Sequence, residues 1–167
     1  MSTAAVAKPP ARAEIAEQYK WNLADLYPSE AEWRAAKEAV AAALPRLDTF
    51  RGRLSSSAST LADALSLMSA FDKDIARLYA YAAMLADENT RDPQHQGMKQ
   101  EMVQLAAAFG AHISFIEPEV LRFPAGTVQK CLAEEPRLGA YAFYLQDIAR
   151  RAAHTLSDAE EKLLADV

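Results

Sequence analysis

Three histidines, one cysteine and two adjacent acidic pairs are the residues whose types could make or break bonds. A zinc hydrolase motif such as H-E-x-x-H needs two histidines one helical turn apart, so that both rings reach one ion. His95 is followed by Gln96, His112 by Ile113 and His154 by Thr155. None of them opens that motif, and no two are spaced as ligands on one helix face. His112 lies beside an apolar stripe, so a hydrogen-bonded histidine at the edge of the core is expected. His154 is expected in a loop, solvated or near the preceding helix end, where the dipole favours a cation.

Cys131 has no histidine nearby and no Gly-rich turn, which reads as a small buried apolar residue rather than a nucleophile. Glu134 and Glu135, like Glu160 and Glu161, are neighbours in sequence. Neighbours on a helix face different ways, so neither pair is a metal clamp, and both read as solvated faces. No Gly-rich phosphate loop is present. Tyr141, Phe143 and Tyr144 have the spacing of core positions, with a peptide-lining role as the alternative. The residues alone therefore assign no catalytic, cofactor-binding or metal-binding position to this chain.

The elements that carry these residues are helical. The chain has 167 residues, enough for one domain with a real core. Only five glycines and abundant alanine favour helices over turn-rich β structure. A net charge of -5 argues against a nucleic-acid surface, which would need a basic face. One cysteine excludes an internal disulfide and suits a reducing compartment, the cytoplasm. No apolar run is long enough to cross a membrane, and the N-terminus lacks the apolar centre of a secretory signal. Residues 1–18, broken by Pro9-Pro10, read as a disordered tail rather than a transit peptide.

From residue 19 onward the pattern becomes denser. Trp21, Leu23, Leu26 and Tyr27 suggest an extended clip. Ser29 and Glu32 form a capping box, with Pro28 and Trp33 at the staple positions. Glu30 and Arg34 are spaced as an i,i+4 pair. Pro45 should end or kink this helix near Leu44. Thr60, with Asp63, is expected to start a helix running to about Glu88, roughly 42 Å long. Of Tyr79 and Tyr81, one should leave its apolar stripe. Asp92 caps the next helix, with Pro93 at its first position. That helix carries Met98, Met102, Leu105 and Phe109 to about Ile116. The short connection makes these two helices antiparallel neighbours. Shorter helices follow at Pro118, Pro124 and Pro136, the last with an Asp147–Arg151 pair. The fold class is all-α, an antiparallel helical bundle or hairpin domain with a long central helix pair. Prolines at 45, 93, 118, 124 and 136 interrupt any heptad, so a coiled coil fits poorly.

Four stretches share an order and spacing with a known family: "WNLADLYPSEAEW", "YAYAAMLADENTRDP", "SFIEPEVL" and "AYAFYLQDIARRAAHTLSDAEEKLLA". From Trp21 onward the chain resembles the N-terminal region of oligoendopeptidase F, zinc metallopeptidases related to thimet oligopeptidase. The resemblance implies a mostly helical enzyme that encloses a deep channel and cleaves short peptides. It implies a zinc ion held by an H-E-x-x-H helix and a downstream glutamate, in sequence that follows this region. No catalytic or metal residue carries over to a position here. What carries over is a role: a helical domain, residues 19–156, that forms one side of the channel and restricts access to small peptides.

On that reading the chain lacks the catalytic domain and is inactive alone. Its partners are that domain and, through the parent, short peptides, with no nucleic acid or membrane. Residues 157–167, opened by a Ser157–Glu160 capping box, read as the first turns of a helix leading onward, with Leu163 and Leu164 needing cover. Exposed apolar surface would then make the chain self-associate. The rival reading is a complete, non-catalytic helical module that binds protein or peptide.

Overall fold

The computed structural model describes residues 14–152. Among them are six α-helices, several 3₁₀ turns and no strand. The helices are α1 (Glu30–Ala43), α2 (Ala58–Glu88), α3 (Pro93–Ile113), α4 (Ile116–Leu121), α5 (Thr127–Glu134) and α6 (Ala142–Ala152). The class is all-α, with α2 and α3 as the long pair. The chain divides into two compact units, Met1–Ala41 with Asp74–Ala106, and Ala42–Lys73 with Ala107–Val167. Helices α2 and α3 contribute to both. The segment 157–167, His154 and Glu160–Glu161 lie outside the described residues, as does most of the expected tail.

In the first unit, Ser29 Oγ accepts from the Glu32 N–H at 3.3 Å and opens α1. Trp33 is fully buried, and its indole N–H donates to the Leu78 carbonyl on α2 at 2.9 Å. Tyr81 stacks near Trp33 and meets the edge of Tyr27. Tyr79 is the tyrosine that leaves the stripe. Pro28 is exposed, so the staple expected around the cap is not sealed. The segment before α1 is a 3₁₀ turn, Leu23–Asp25, rather than an extended clip. Its anchors are Leu26, whose carbonyl accepts from Arg77, and Tyr27, whose ring lies under the same guanidinium. Trp21 stays 53% exposed.

Glu30 and Arg34 do not pair with each other. Glu30 turns to His95 and Gln94, and Arg34 reaches Glu101 of α3. Tertiary partners supply less mobile contacts than a solvated i,i+4 pair does. Asp92 Oδ1 accepts from the Gln94 and His95 N–H groups, capping α3 as expected. Gln96 donates back to the Ala86 carbonyl and Lys99 pairs with Asp87, so the two helices turn sharply and run antiparallel at this end.

The second unit holds its own core, formed by Leu54, Leu61, Leu65, Ile116, Leu138, Leu145 and Ile148 among others. Pro45 ends α1 at Ala43, and the chain continues as a 3₁₀ helix through Phe50. The cap of α2 is Ser57, three residues before Thr60: its Oγ accepts from the Thr60 N–H at 3.0 Å. Thr60 Oγ1 instead joins the serine cluster, 2.8 Å from Ser57 Oγ and 3.2 Å from Ser56 Oγ. Helix α5 starts at Thr127, later than Pro124 suggests, because Gly126 with φ +84° makes the turn. Arg137 ties the 3₁₀ turn Pro136–Tyr141 to Asp63 of α2 at 2.6 Å, and Arg151 of α6 bonds Glu117 of α4. The expected Asp147–Arg151 pair forms at 3.2 Å.

Candidate functional site

The residues with reactive side chains are occupied in structural pairs. His112 is half-buried, and its Nδ1–H donates to Asp48 Oδ2 at 2.8 Å. This is the core-edge histidine the sequence suggests. Asp48 also binds Arg51, and the guanidinium holds its carboxyl below the ordinary range, with His112 adding to the effect. His95 Nε2 donates to Glu30 Oε1 at 3.2 Å, while its buried Nδ1 has no hydrogen-bond partner and lies 3.7 Å from Asp92 Oδ2. The two histidines belong to different units.

Cys131 is buried and free, and desolvation pushes its thiol up, with Glu134 adding to the shift. A thiol so placed is a poor nucleophile. Glu134 pairs with Lys130, whereas Glu135 caps the following turn and binds Arg137. Among the described residues no cluster of three His, Cys, Asp or Glu side chains could hold a metal ion. The described residues also carry concave surface.

One such surface is an open groove of about 540 Å³ in the second unit. The turn at Arg51, Gly52 and Ser55 forms one wall, and the other carries Ser114, Phe115 and Pro118. Glu119 joins the walls. Its two oxygens accept from the Gly52 N–H at 2.8 Å and the Leu54 N–H at 2.6 Å. Gly52 has φ +74°, which lets the turn present both N–H groups to one carboxylate. Arg51 lies 4.6 Å from the centre of the Phe115 ring. Sequence reading missed Glu119, because an acid 65 residues from its partner leaves no local pattern. The glycine itself, Gly52 in an Arg-Gly-Arg turn, was the one available hint.

The aromatic residues of α6 divide. Tyr144 is half-buried, and desolvation raises its phenol, with Glu117 adding to the shift. Phe143 is 86% exposed, against the expectation of a core position. Tyr141 and Tyr144, three residues apart, both pack against the core, and Phe143, one step from Tyr144, turns about 100° away from it.

Residues 119–167 match the family model described as oligopeptidase F. Oligopeptidase PepF of Bacillus subtilis (strain 168) is 30% identical over 157 residues, which is 94% of this chain and 23% of that protein. The oligoendopeptidase F homolog of Lactococcus lactis is 32% identical over 155 residues, 92% of this chain and 26% of that protein. The crystal structure of oligoendopeptidase-F from Enterococcus faecium has a TM-score of 0.67 and 26% identity, covering 82% of this chain and 27% of that one. This chain matches the N-terminal region of oligoendopeptidase F. A putative peptidase from Chlamydophila abortus, 24% identical with a TM-score of 0.80 over 93% of this chain and 26% of that one, shares the fold. The chain spans about a quarter of the length of the oligoendopeptidase F relatives it matches. The core residues Val120, Cys131, Leu138, Leu145 and Ile148 all fall within the part that matches the family model.

Proposed function

We propose that this chain supplies the N-terminal helical region of a zinc-dependent peptidase of the oligoendopeptidase F type, one that hydrolyses short peptides in the cytoplasm. Its role there is non-catalytic: it forms one side of a channel and restricts access to small peptides. The observation that carries the reading is a match over more than nine-tenths of this chain to about a quarter of each relative. The described residues do not fit a zinc site, since His95 and His112 are committed to separate carboxylates in separate units. The metal, which would polarise the scissile carbonyl and activate water, belongs in this reading to residues elsewhere in a longer protein.

The test compares the longer protein with the 167-residue chain on a short quenched peptide and on casein. The longer protein should cut only the peptide, lose activity to a chelator and regain it with zinc. The isolated chain should be inactive. Chelator-sensitive cleavage by the isolated chain would overturn the assignment. The isolated chain should also self-associate or bind a hydrophobic dye through apolar surface such as Phe143, Tyr79 and Val103. A strictly monomeric, dye-silent chain would count against a missing partner domain.

A further inference from the structure

We propose that the groove between the Arg51–Ser55 turn and α4 binds a peptide C-terminus, a carboxylate with an apolar side chain on the same carbon. The site has a cationic part and an apolar part side by side. Asp48 takes one Nη2 hydrogen of Arg51 at 3.1 Å, and Arg51 rests on the Phe115 ring. Stacking and the ion pair together hold the guanidinium in place, which lowers the ordering cost of using its remaining donors. Those donors form a planar fork suited to a carboxylate.

The second acid at the groove, Glu119, is offset by a second cation, Arg122, on the same wall. Both Glu119 oxygens already accept main-chain N–H groups. Phe115, Pro118 and Phe123 provide apolar wall, and Ser55 and Ser114 provide hydroxyls. Ser114 donates its hydrogen to the Ala111 carbonyl, so it offers a ligand only lone pairs, suited to a peptide N–H. The volume lies within the range of ligand pockets, about 300–1,000 Å³. A C-terminal residue places its carboxylate and side chain on one carbon, which suits a cation set directly over an aromatic ring. An acidic side chain would carry its charge away from any apolar group of its own. The proposal stands whether or not the longer protein is a peptidase.

Acetyl-Ala-Leu-Phe with a free C-terminus, titrated into the 15N-labelled chain, is the probe. Saturable shifts should centre on the Gly52, Ser55 and Ser114 amides. The C-terminal amide of the same peptide should bind about fivefold or more weakly, the factor that corresponds to losing an exposed charge pair. Arg51→Gln should lose a similar factor. Because that change also frees Asp48, Ser55→Trp provides an independent arm: it fills the groove from an exposed turn and should abolish the shifts without lowering Tm. Absent or scattered shifts would overturn the proposal. So would equal binding of acid and amide, or undiminished binding by Ser55→Trp.

Discussion

The indole N–H of Trp33 donates to the carbonyl of Leu78 at 2.9 Å, in the buried interior of the first unit. Leu78 lies in the second half of α2, so this bond fixes the rotation of α1 against a residue 45 positions away. The Trp33 ring is also covered by Arg34 and Lys37, at 5.8 and 5.7 Å from its centre. Trp33→Ala should destabilise by about 3–5 kcal/mol, from lost burial and the cavity left behind. Trp33→Phe keeps an aromatic ring but loses the bond to the Leu78 carbonyl, which retains its partner within α2, and should cost about 1–2 kcal/mol. Urea unfolding followed by circular dichroism would separate the two. Equal losses would mean that the hydrogen bond, not the ring, dominates.

Glu119 is the corresponding tie in the second unit. Removing its carboxylate leaves the Gly52 and Leu54 N–H groups without their acceptors, the second of them half-shielded from water. Glu119→Ala should cost about 2 kcal/mol, in the range for hydrogen bonds to a charged group at a partly exposed site. Glu119→Gln keeps one acceptor oxygen and should cost about half that. Amide exchange at Leu54 should accelerate in both variants. Exchange that stays unchanged in Glu119→Ala would show that the turn holds itself.

Local signals in the sequence located most helices. Pro45, Asp92 with Pro93, and the Asp147–Arg151 spacing each act within a few residues, and each is found where expected. The errors arose where a nearer or a more distant partner competed. Ser57 and Thr60 are both good caps, and the earlier one wins because it satisfies an N–H at the true helix start. Glu30 and Arg34 suit each other locally, yet each finds a partner on α3. Gly126, not Pro124, sets the start of α5. The groove depends on contacts more than 60 residues apart, which no single-sequence period reports. The absence of any expected catalytic residue rested on motif spacing alone, and spacing cannot reveal a recognition surface.

Two glycines allow a test of backbone conformation with packing held aside. A Cβ added at Gly126 or at Gly97 would meet nothing within 4 Å. Gly126 has φ +84° and caps α5, whereas Gly97 lies in the interior of α3. Gly126→Ala should therefore destabilise by about 1–2 kcal/mol, the cost of a left-handed conformation for an L-residue. Gly97→Ala should stabilise by about 0.5–1 kcal/mol through helix propensity. Opposite shifts in Tm are the expected result. A loss at Gly97 would mean that its exposed face meets another surface in solution.

The last prediction concerns acid. Glu101 of α3 receives Lys37 and, at 3.5 Å, Arg34. The bond from Lys37 holds its carboxyl below the ordinary range, with both cations adding to the effect. A carboxylate depressed in the folded state contributes stability that is present above its unfolded pKa, about 4.3. That stability is lost as pH falls through the folded value. The side chain is about one-third exposed, so solvent limits the contribution to about 1 kcal/mol or less. Asp48, Glu135 and Asp147 are lowered as well, so the acid unfolding of the chain alone cannot isolate Glu101. The difference between the chain and Glu101→Gln can. It should be constant from pH 7 to about pH 5, and shrink towards zero below pH 4 as the native carboxylate is protonated. A gap that instead widened on acidification would mean that Glu101 is not held ionised by Lys37, and that the ties from α1 to α3 rest on packing around Trp33.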